Sequence, residues 1–324
     1  MRAIVITESG GPEVLAVREV PTPEPGPGQI RVRVTASALN RADVLQRMGA
    51  YPAPPDAPSD IPGLEFAGAV DAVGTGASAW QTGDRVFGIV GGGAHAEFVV
   101  THERAVARIP ERLDDVTAAA VPEAYITAHD ALVTRGRVRS GSRVLVHAVG
   151  SGVGLATVQI CAAIHAPCWG TARTADKLAR ATEHGLRHAI DPTGFAERIL
   201  ADTGGAGIDA IVDFVGADHL DEHLRVLAPR GRLVLVGLLS GARAEIDLGL
   251  VLRKRLEIIG TVLRSRPIEE KIDATQRFAR EIVPLLANGA LQPVVDSVVP
   301  FARIADAHTR MSANENFGKI VLRW

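Results

Sequence analysis

VLVHAVGSGVGLATVQ, residues Val144 to Gln159, is the stretch on which the fold turns. An apolar strand, Arg143 to Ala148, runs into a glycine-rich turn, and the turn opens an apolar helix, Gly154 to His165. Glycines at such a turn let backbone approach a pyrophosphate closely, and the helix N-terminus favours its charge. The spacing departs from G-x-G-x-x-G: with Gly154 as the third glycine, the first two positions hold Val149 and Ser151, so the turn is expected to be displaced. Alone, the pattern also fits a plain tight turn. Its weight comes from what surrounds it.

Downstream the alternation repeats. Strands read at Cys168 to Thr171, His188 to Ile190, Ile208 to Val215, Arg232 to Gly237 and Leu256 to Leu263. Helices read at Ala175 to His184, Phe195 to Ala201 and His219 to Leu227. Strands alternating with helices of this length predict an α/β fold, a doubly wound parallel sheet covered on both faces with right-handed crossovers. The strand ends Phe214-Val215-Gly216 and Val236-Gly237-Leu238 fall on the carboxyl edge, where open α/β sheets bind ligands. Each pair also fits a simple turn.

Upstream the chain reads as β-rich, with Val/Ile/Ala runs such as Arg31 to Ala36 between Pro and Gly punctuation. PTPEPGPG, Pro21 to Gly28, can be neither regular helix nor central strand and reads as an inter-strand loop. Near the C-terminus, Ile268 to Asn288 reads as a long helix closed by Asn288-Gly289, with Pro284 as a kink. The tail reads as strand, helix, strand, ending KIVLRW, and is expected to complete the first domain. The expected division is residues 1–121 with 290–324, and residues 122–289.

The composition, 47% hydrophobic and 22% charged, suits a folded globular chain, and the net charge of -2 gives no global attraction for nucleic acid or an acidic membrane. Two cysteines, Cys161 and Cys168, are too few for a disulfide scaffold or a four-cysteine zinc lobe. The N-terminus, MRAIVITESGG, lacks a signal-peptide run and no stretch is long enough to span a membrane, so a cytoplasmic protein is expected.

An NAD site wants Asp or Glu about 20 residues past the turn, on the ribose hydroxyl. Here the second strand ends Trp169-Gly170-Thr171-Ala172-Arg173-Thr174, with no carboxylate, and Lys177 follows one helical turn later. Two cations suit a 2′-phosphate, which favours NADPH. A solvated Arg and Lys on a surface helix is the alternative. Asp176, the nearest acid, falls inside the helix.

The chain resembles the medium-chain dehydrogenase/reductase superfamily, and within it the zinc-independent quinone oxidoreductases, with its nearest likeness to the p53-inducible branch. The resemblance spans nearly the whole chain. It rests on NRADVLQRMGAYP from Asn40, GLEFAGAV from Gly63, TGDRVFGIVGGGAHAEFV from Thr82, PEAYITAH from Pro122, SGVG from Ser151, Leu263-Arg264-Ser265-Arg266 and NFGKIVL from Asn316. It implies a GroES-like first domain, a Rossmann second domain and a homodimer formed through an edge strand, here Leu256 to Leu263. Carried over by position, it places Asn40 and Tyr51 at the nicotinamide and substrate as the catalytic pair. Thr127, Gly150, Leu263 and Asn316 would contact the cofactor, with Asn316 on the nicotinamide side. Ser151, Gly152, Val153 and Gly154 would hold the pyrophosphate and Lys177 the 2′-phosphate; Arg173 beside it, and Val215, Gly216, Gly237 and Leu238 at the strand ends, are cofactor candidates from their places in the alternation. A tyrosine expected near position 191 is replaced by Asp191, which weakens the NADPH preference or shifts it onto Arg173.

Zinc-dependent members use Cys, a Gly-His-Glu motif and a distal Cys or Asp. This chain has Asn40 at the first position and Gly63-Leu64-Glu65 in the motif, so no metal is expected. Glu65 then reads as part of a polar network, and His95, His102 and His147 as isolated histidines. Without a strong Lewis acid, the acceptor should already be electrophilic, as a quinone or enone is. Tyr51 also fits simple packing in its Pro-rich loop. Two rival readings share the sequence: a 2-enoyl or alkenal reductase, and a low-turnover NADPH-binding protein with a structural or RNA-binding role. The near-neutral charge speaks against RNA.

Overall fold

In the computed structural model, which describes residues 1–324, the apolar run before the glycine-rich turn is the strand Val144–Val146. All three side chains are fully buried, as a strand covered on both faces requires. Five parallel partners complete a sheet in the order His188–Ile190, Cys168–Thr171, Val144–Val146, Ile208–Asp213, Leu227–Leu235, Glu257–Gly260. Counted along the chain this is the 3-2-1-4-5-6 order of a doubly wound Rossmann sheet. The order reverses between Val144–Val146 and Ile208–Asp213, which pair directly. The helix Gly152–Ala163 is buried from Gly154 to Cys161 and has no polar face, whereas Ala175–Glu183 and Phe195–Asp202 bury only one stripe. Leu145, Trp169, Phe195, Ile211 and Leu233 share the core. The outermost strand, Glu257–Gly260, is shorter than the expected Leu256 to Leu263.

The β-rich part is built on the ten-residue strand Gln29–Ala38, whose alternate residues Ile30, Val32, Val34 and Ala36 are buried. It pairs antiparallel with Glu65–Val73 and with Phe98–His102. The tail folds back onto this sheet: Lys319–Arg323 pairs antiparallel with Ala36 to Ala38, and Val295–Pro300 adds a parallel edge. The segment 21–28 runs as a loop between the strands Leu15–Glu19 and Gln29–Ala38.

Backbone proximity divides the chain into Met1–Ile126 with Leu263–Trp324, and Thr127–Val262. The second break falls earlier than the expected residue 289, because the long C-terminal helix belongs with the first unit. That helix, Ile268–Glu281, buries Phe278 completely with its ring 5.7 Å from Phe87, and pairs Glu269 with Arg104. Helical periodicity reveals an apolar stripe but not the surface that receives it. Pro284 does more than kink this helix. It lacks the N–H that would continue the ladder, and a separate helix, Val283–Ala287, begins around it. The second unit is pinned where the chain enters and leaves it: the Thr261 hydroxyl donates to Asp130 Oδ2 at 2.9 Å. No helix is long and apolar enough to cross a membrane.

Candidate active site

In the first unit Asn40 precedes the helix Arg41–Arg47, and its backbone N–H donates to Asp43 Oδ2 at 2.7 Å. The Asn40 amide is turned to other partners. Its nitrogen donates to Glu65 Oε1 at 2.9 Å and to the Ala38 carbonyl at 3.2 Å, and its oxygen accepts from Lys319 Nζ at 2.6 Å. An ammonium only donates and a carboxylate only accepts, so these neighbours fix the orientation of the amide. Lys319 Nζ also lies 2.6 Å from Glu65 Oε1 and donates to the Leu39 carbonyl at 3.0 Å. Its three protons thus meet three oxygens. Glu65 is fully buried, and its second oxygen accepts the Glu123 N–H at 2.8 Å.

Asp43 carries this network deeper. Its Oδ1 accepts the Gly63 N–H at 2.9 Å, and its Oδ2 lies 3.8 Å from His95 Nε2. Gly63 has φ +102, and a Cβ there would stand 2.4 Å from the backbone nitrogen of His95, so only glycine fits. His95 Nδ1 contacts Ser37 Oγ at 2.9 Å, and burial holds the imidazole below its ordinary pKa. His95 is therefore a network member, not an isolated histidine.

Tyr51 is half-buried, with the Arg264 guanidinium 5.0 Å from its ring centroid. Arg264 donates to the carbonyls of Gly91 at 2.7 Å and Tyr51 at 3.2 Å, and to the Gln46 amide oxygen. It fastens the Tyr51 loop. Burial raises the Tyr51 hydroxyl pKa, with Arg264 opposing. Leu263, buried, immediately precedes this arginine, and the Asn316 amide donates to the Gly318 carbonyl at 2.8 Å just ahead of Lys319.

In the second unit Ser151 caps the helix that opens at Gly152, its hydroxyl oxygen accepting the Gly154 N–H at 3.0 Å. A Cβ on Gly154 would lie 2.4 Å from the Ala148 carbonyl oxygen. Ala148 carries the left-handed φ of 50, and Val149 is buried, its N–H donating to the Thr171 carbonyl at 3.0 Å. Gly150, Gly152 and Val153 complete the loop and the first helical turn, whose leading N–H groups have no partner within the helix. These features fit a pyrophosphate cradle.

Arg173 is exposed just beyond the strand Cys168–Thr171, and the Lys177 N–H donates to Thr174 Oγ1 at the start of the next helix. Asp176 is exposed on that helix, 3.9 Å from Arg180, and Asp191 is exposed with its Oδ1 accepting the Thr193 N–H. The strand-end loops are stitched together. Asp213 accepts the N–H groups of Val215 and Gly216 at 2.8 and 3.0 Å, and the Ser240 N–H, just beyond Gly237 and Leu238, donates to the Val215 carbonyl at 2.8 Å. Thr127, on the helix Pro122–His129, is buried.

The family described as the alcohol dehydrogenase GroES-like domain matches residues 26–111, and that described as zinc-binding dehydrogenase matches residues 152–280. A human protein named quinone oxidoreductase is 34% identical over 328 residues, covering 99% of this chain and 97% of its own length. The chain belongs to the medium-chain dehydrogenase/reductase superfamily. Among solved structures, one titled NAD-dependent alcohol dehydrogenase aligns with a TM-score of 0.88 at 34% identity, covering both chains fully. A mycobacterial protein complexed with NADPH aligns with a TM-score of 0.88 at 30% identity, again covering both chains fully. The first unit of this dehydrogenase/reductase is thus GroES-like and the second Rossmann-like.

The residues at the expected zinc position of this family member do not fit a catalytic zinc. Asn40 and Leu64 offer no thiolate or imidazole, and Glu65 already faces the Lys319 ammonium. Sequence reasoning missed Lys319, which sits 279 residues from Asn40, and missed the role of Arg264. It also read His147 as isolated. The structure places His147 beside His219, His223 and Asp213, one ligating atom of each lying within 4.8 Å of the others. His147 Nε2 is 2.7 Å from His223 Nε2, and His147 Nδ1 is 2.7 Å from Thr171 Oγ1. Burial holds all three imidazoles below their ordinary pKa, His223 to about 3, and raises the Asp213 carboxyl to about 6. The available signal was the pair His219 and His223, four apart and so on one helical face.

Proposed function

We propose that this medium-chain dehydrogenase/reductase is an NADPH-dependent reductase of quinones or similar conjugated carbonyls that works without metal. The observation that carries the reading is the Lys319 ammonium paired with buried Glu65 and Asn40, where a zinc-dependent relative would gather its metal. A positive charge already fills that role in the network, so an acceptor that is electrophilic in itself is required. Bound NADPH would supply the hydride, with Ser151, Gly152, Val153 and Gly154 on the pyrophosphate and Arg173 and Lys177 on the 2′-phosphate. Val215, Gly216, Gly237, Leu238 and Thr127 line the remaining dinucleotide path, and Leu263 and Asn316 serve its nicotinamide end.

Asn40 and Tyr51 act on the acceptor. The Asn40 amide is held rigid by Glu65 and Lys319, which suits positioning. Burial keeps the Tyr51 phenol protonated at neutral pH, so it can donate to the oxygen that gains charge when hydride adds, and regain its proton from water. The chain also forms a homodimer through the open edge Glu257–Gly260. Ile258 and Val262 are exposed there, and Leu248 and Leu252 stand out at 69% and 77% exposure.

The test is NADPH oxidation with a naphthoquinone, beside a crotonyl thioester, before and after treatment with a chelator. Faster turnover with the quinone, and an unchanged kcat at saturating NADPH after chelation, is the expected result. Preference for the thioester would transfer the chain to the enoyl reductases, and loss of kcat on chelation would defeat the metal-free mechanism.

A further inference from the structure

We propose that His147, Asp213, His219 and His223 form a binding site for one zinc-like divalent transition-metal ion in the second unit, separate from the Asn40 and Glu65 network. Three imidazoles and one carboxylate are a donor set for zinc, cobalt, nickel or copper, not for calcium or magnesium, which take oxygen. The four donors come from three places in the fold. His147 directly follows the central strand, Asp213 ends its neighbour across the reversal of strand order, and His219 and His223 lie four residues apart at the start of the helix Leu220–Val226.

Two features point to a ligand rather than to simple packing. The first is unmet valence. His223 is fully buried, yet its Nδ1 has no hydrogen-bond partner and stands 4.0 Å from Asp213 Oδ2, too long for a hydrogen bond. His219 Nδ1 is likewise buried without a partner. Unpartnered buried nitrogens are costly, and an ion bound by His147 Nε2 and His223 Nε2 would draw the His219 nitrogen into coordination and turn His223 Nδ1 toward Asp213. The second is the supporting shell. His147 turns its other nitrogen to Thr171 Oγ1 at 2.7 Å, the arrangement by which metal-binding histidines are oriented. Asp213 is held by the N–H groups of Val215 and Gly216.

The size is right. Ligands about 2.0–2.1 Å from a tetrahedral zinc lie roughly 3.3 Å from one another. The spread of up to 4.8 Å would contract by side-chain shifts of about 1 Å, and the short His147–His223 contact would open. His219 sits on a half-exposed 3-10 turn, the donor freest to move. Asp213 organises Val215 and Gly216, and His147 adjoins the glycine-rich turn. An ion here would therefore clamp two of the loops that frame the dinucleotide path.

The experiment uses the full chain, stripped with a chelator and titrated with Co2+ under visible absorption, then with Zn2+ as competitor. One equivalent of Co2+ with the intense bands of a tetrahedral site, displaced by Zn2+ and accompanied by a higher Tm, is the expected result. His219→Gln and His223→Gln should each weaken Co2+ binding at least about tenfold, while Glu65→Gln leaves it unchanged. Circular dichroism of the metal-free variants checks their fold. If His223→Gln does not fold, His219→Gln, on the half-exposed turn, carries the test. No Co2+ bound, binding that survives the His219→Gln change, or binding that follows Glu65 would overturn the site.

Discussion

At the residue scale the centre of the first unit is one ammonium. Lys319 is buried against a fully buried Glu65, a pair whose solvation loss is offset by the contacts of Asn40, Leu39 and Glu123. Lys319→Met would strand the Glu65 charge and cost about 3–5 kcal/mol, read as a lower urea midpoint. Glu65→Gln added to it should recover much of that loss. A double variant no more stable than the single would show that the pair is not coupled. The second residue-scale prediction concerns the 2′-phosphate. Arg173→Ala with Lys177→Ala should raise the Kd for NADPH at least about tenfold and leave NADH nearly unchanged. Equal losses would remove both residues from the phosphate.

Residues were legible in the sequence where a motif names them and illegible where chemistry is shared across the chain. Asn40 and Tyr51 are proposed from the local stretches that carry the family resemblance. Lys319 lies in KIVLRW, which reads only as a strand, and its ionic role depends on that strand pairing with Ala36 to Ala38. Arg264 was visible in its motif but not what it holds, because its partners come from Gln46, Tyr51 and Gly91. His147 and His223 are 76 positions apart and meet only through the sheet.

At the element scale, hydropathic alternation carried the Rossmann half, and every strand and helix expected between Val144 and Gly260 is present within a few residues. The assignment of Ile268–Glu281 to a unit failed, since a stripe of apolar residues does not say which surface it meets. The edge strand Glu257–Gly260 yields a prediction at this scale. Its outer side is unpaired, with Ile258 and Val262 exposed at 39% and 45%. If the proposed dimer forms through this edge, Ile258→Lys with Val262→Lys should convert it to monomer in sedimentation, with the circular dichroism spectrum unchanged. A variant that still sediments as a dimer would place the interface elsewhere.

At the scale of the whole molecule, buried neutral histidines set the response to acid. His308 is fully buried, and burial, assisted by His95 and Arg47, holds its pKa at about 3. The unfolded chain binds a proton near the ordinary value of about 6.5 while the folded chain does not. Unfolding therefore takes up protons between those values, and stability falls as pH drops from about 6.5 toward 3. The contribution is of the order of a few kcal/mol, so His308→Gln should flatten the acid limb of Tm against pH. An unaltered limb would assign acid lability to other groups.

The hydrogen bond between Thr261 and Asp130 bears on how the chain assembles. The first unit is made of two lengths of polypeptide interrupted by residues 127–262, and joining them directly would mean closing that long span at an entropic cost. Once the interrupting part has folded, its two ends are already knotted to each other. The halves of the interrupted unit then emerge side by side, and what would have been a distant encounter becomes a short tether.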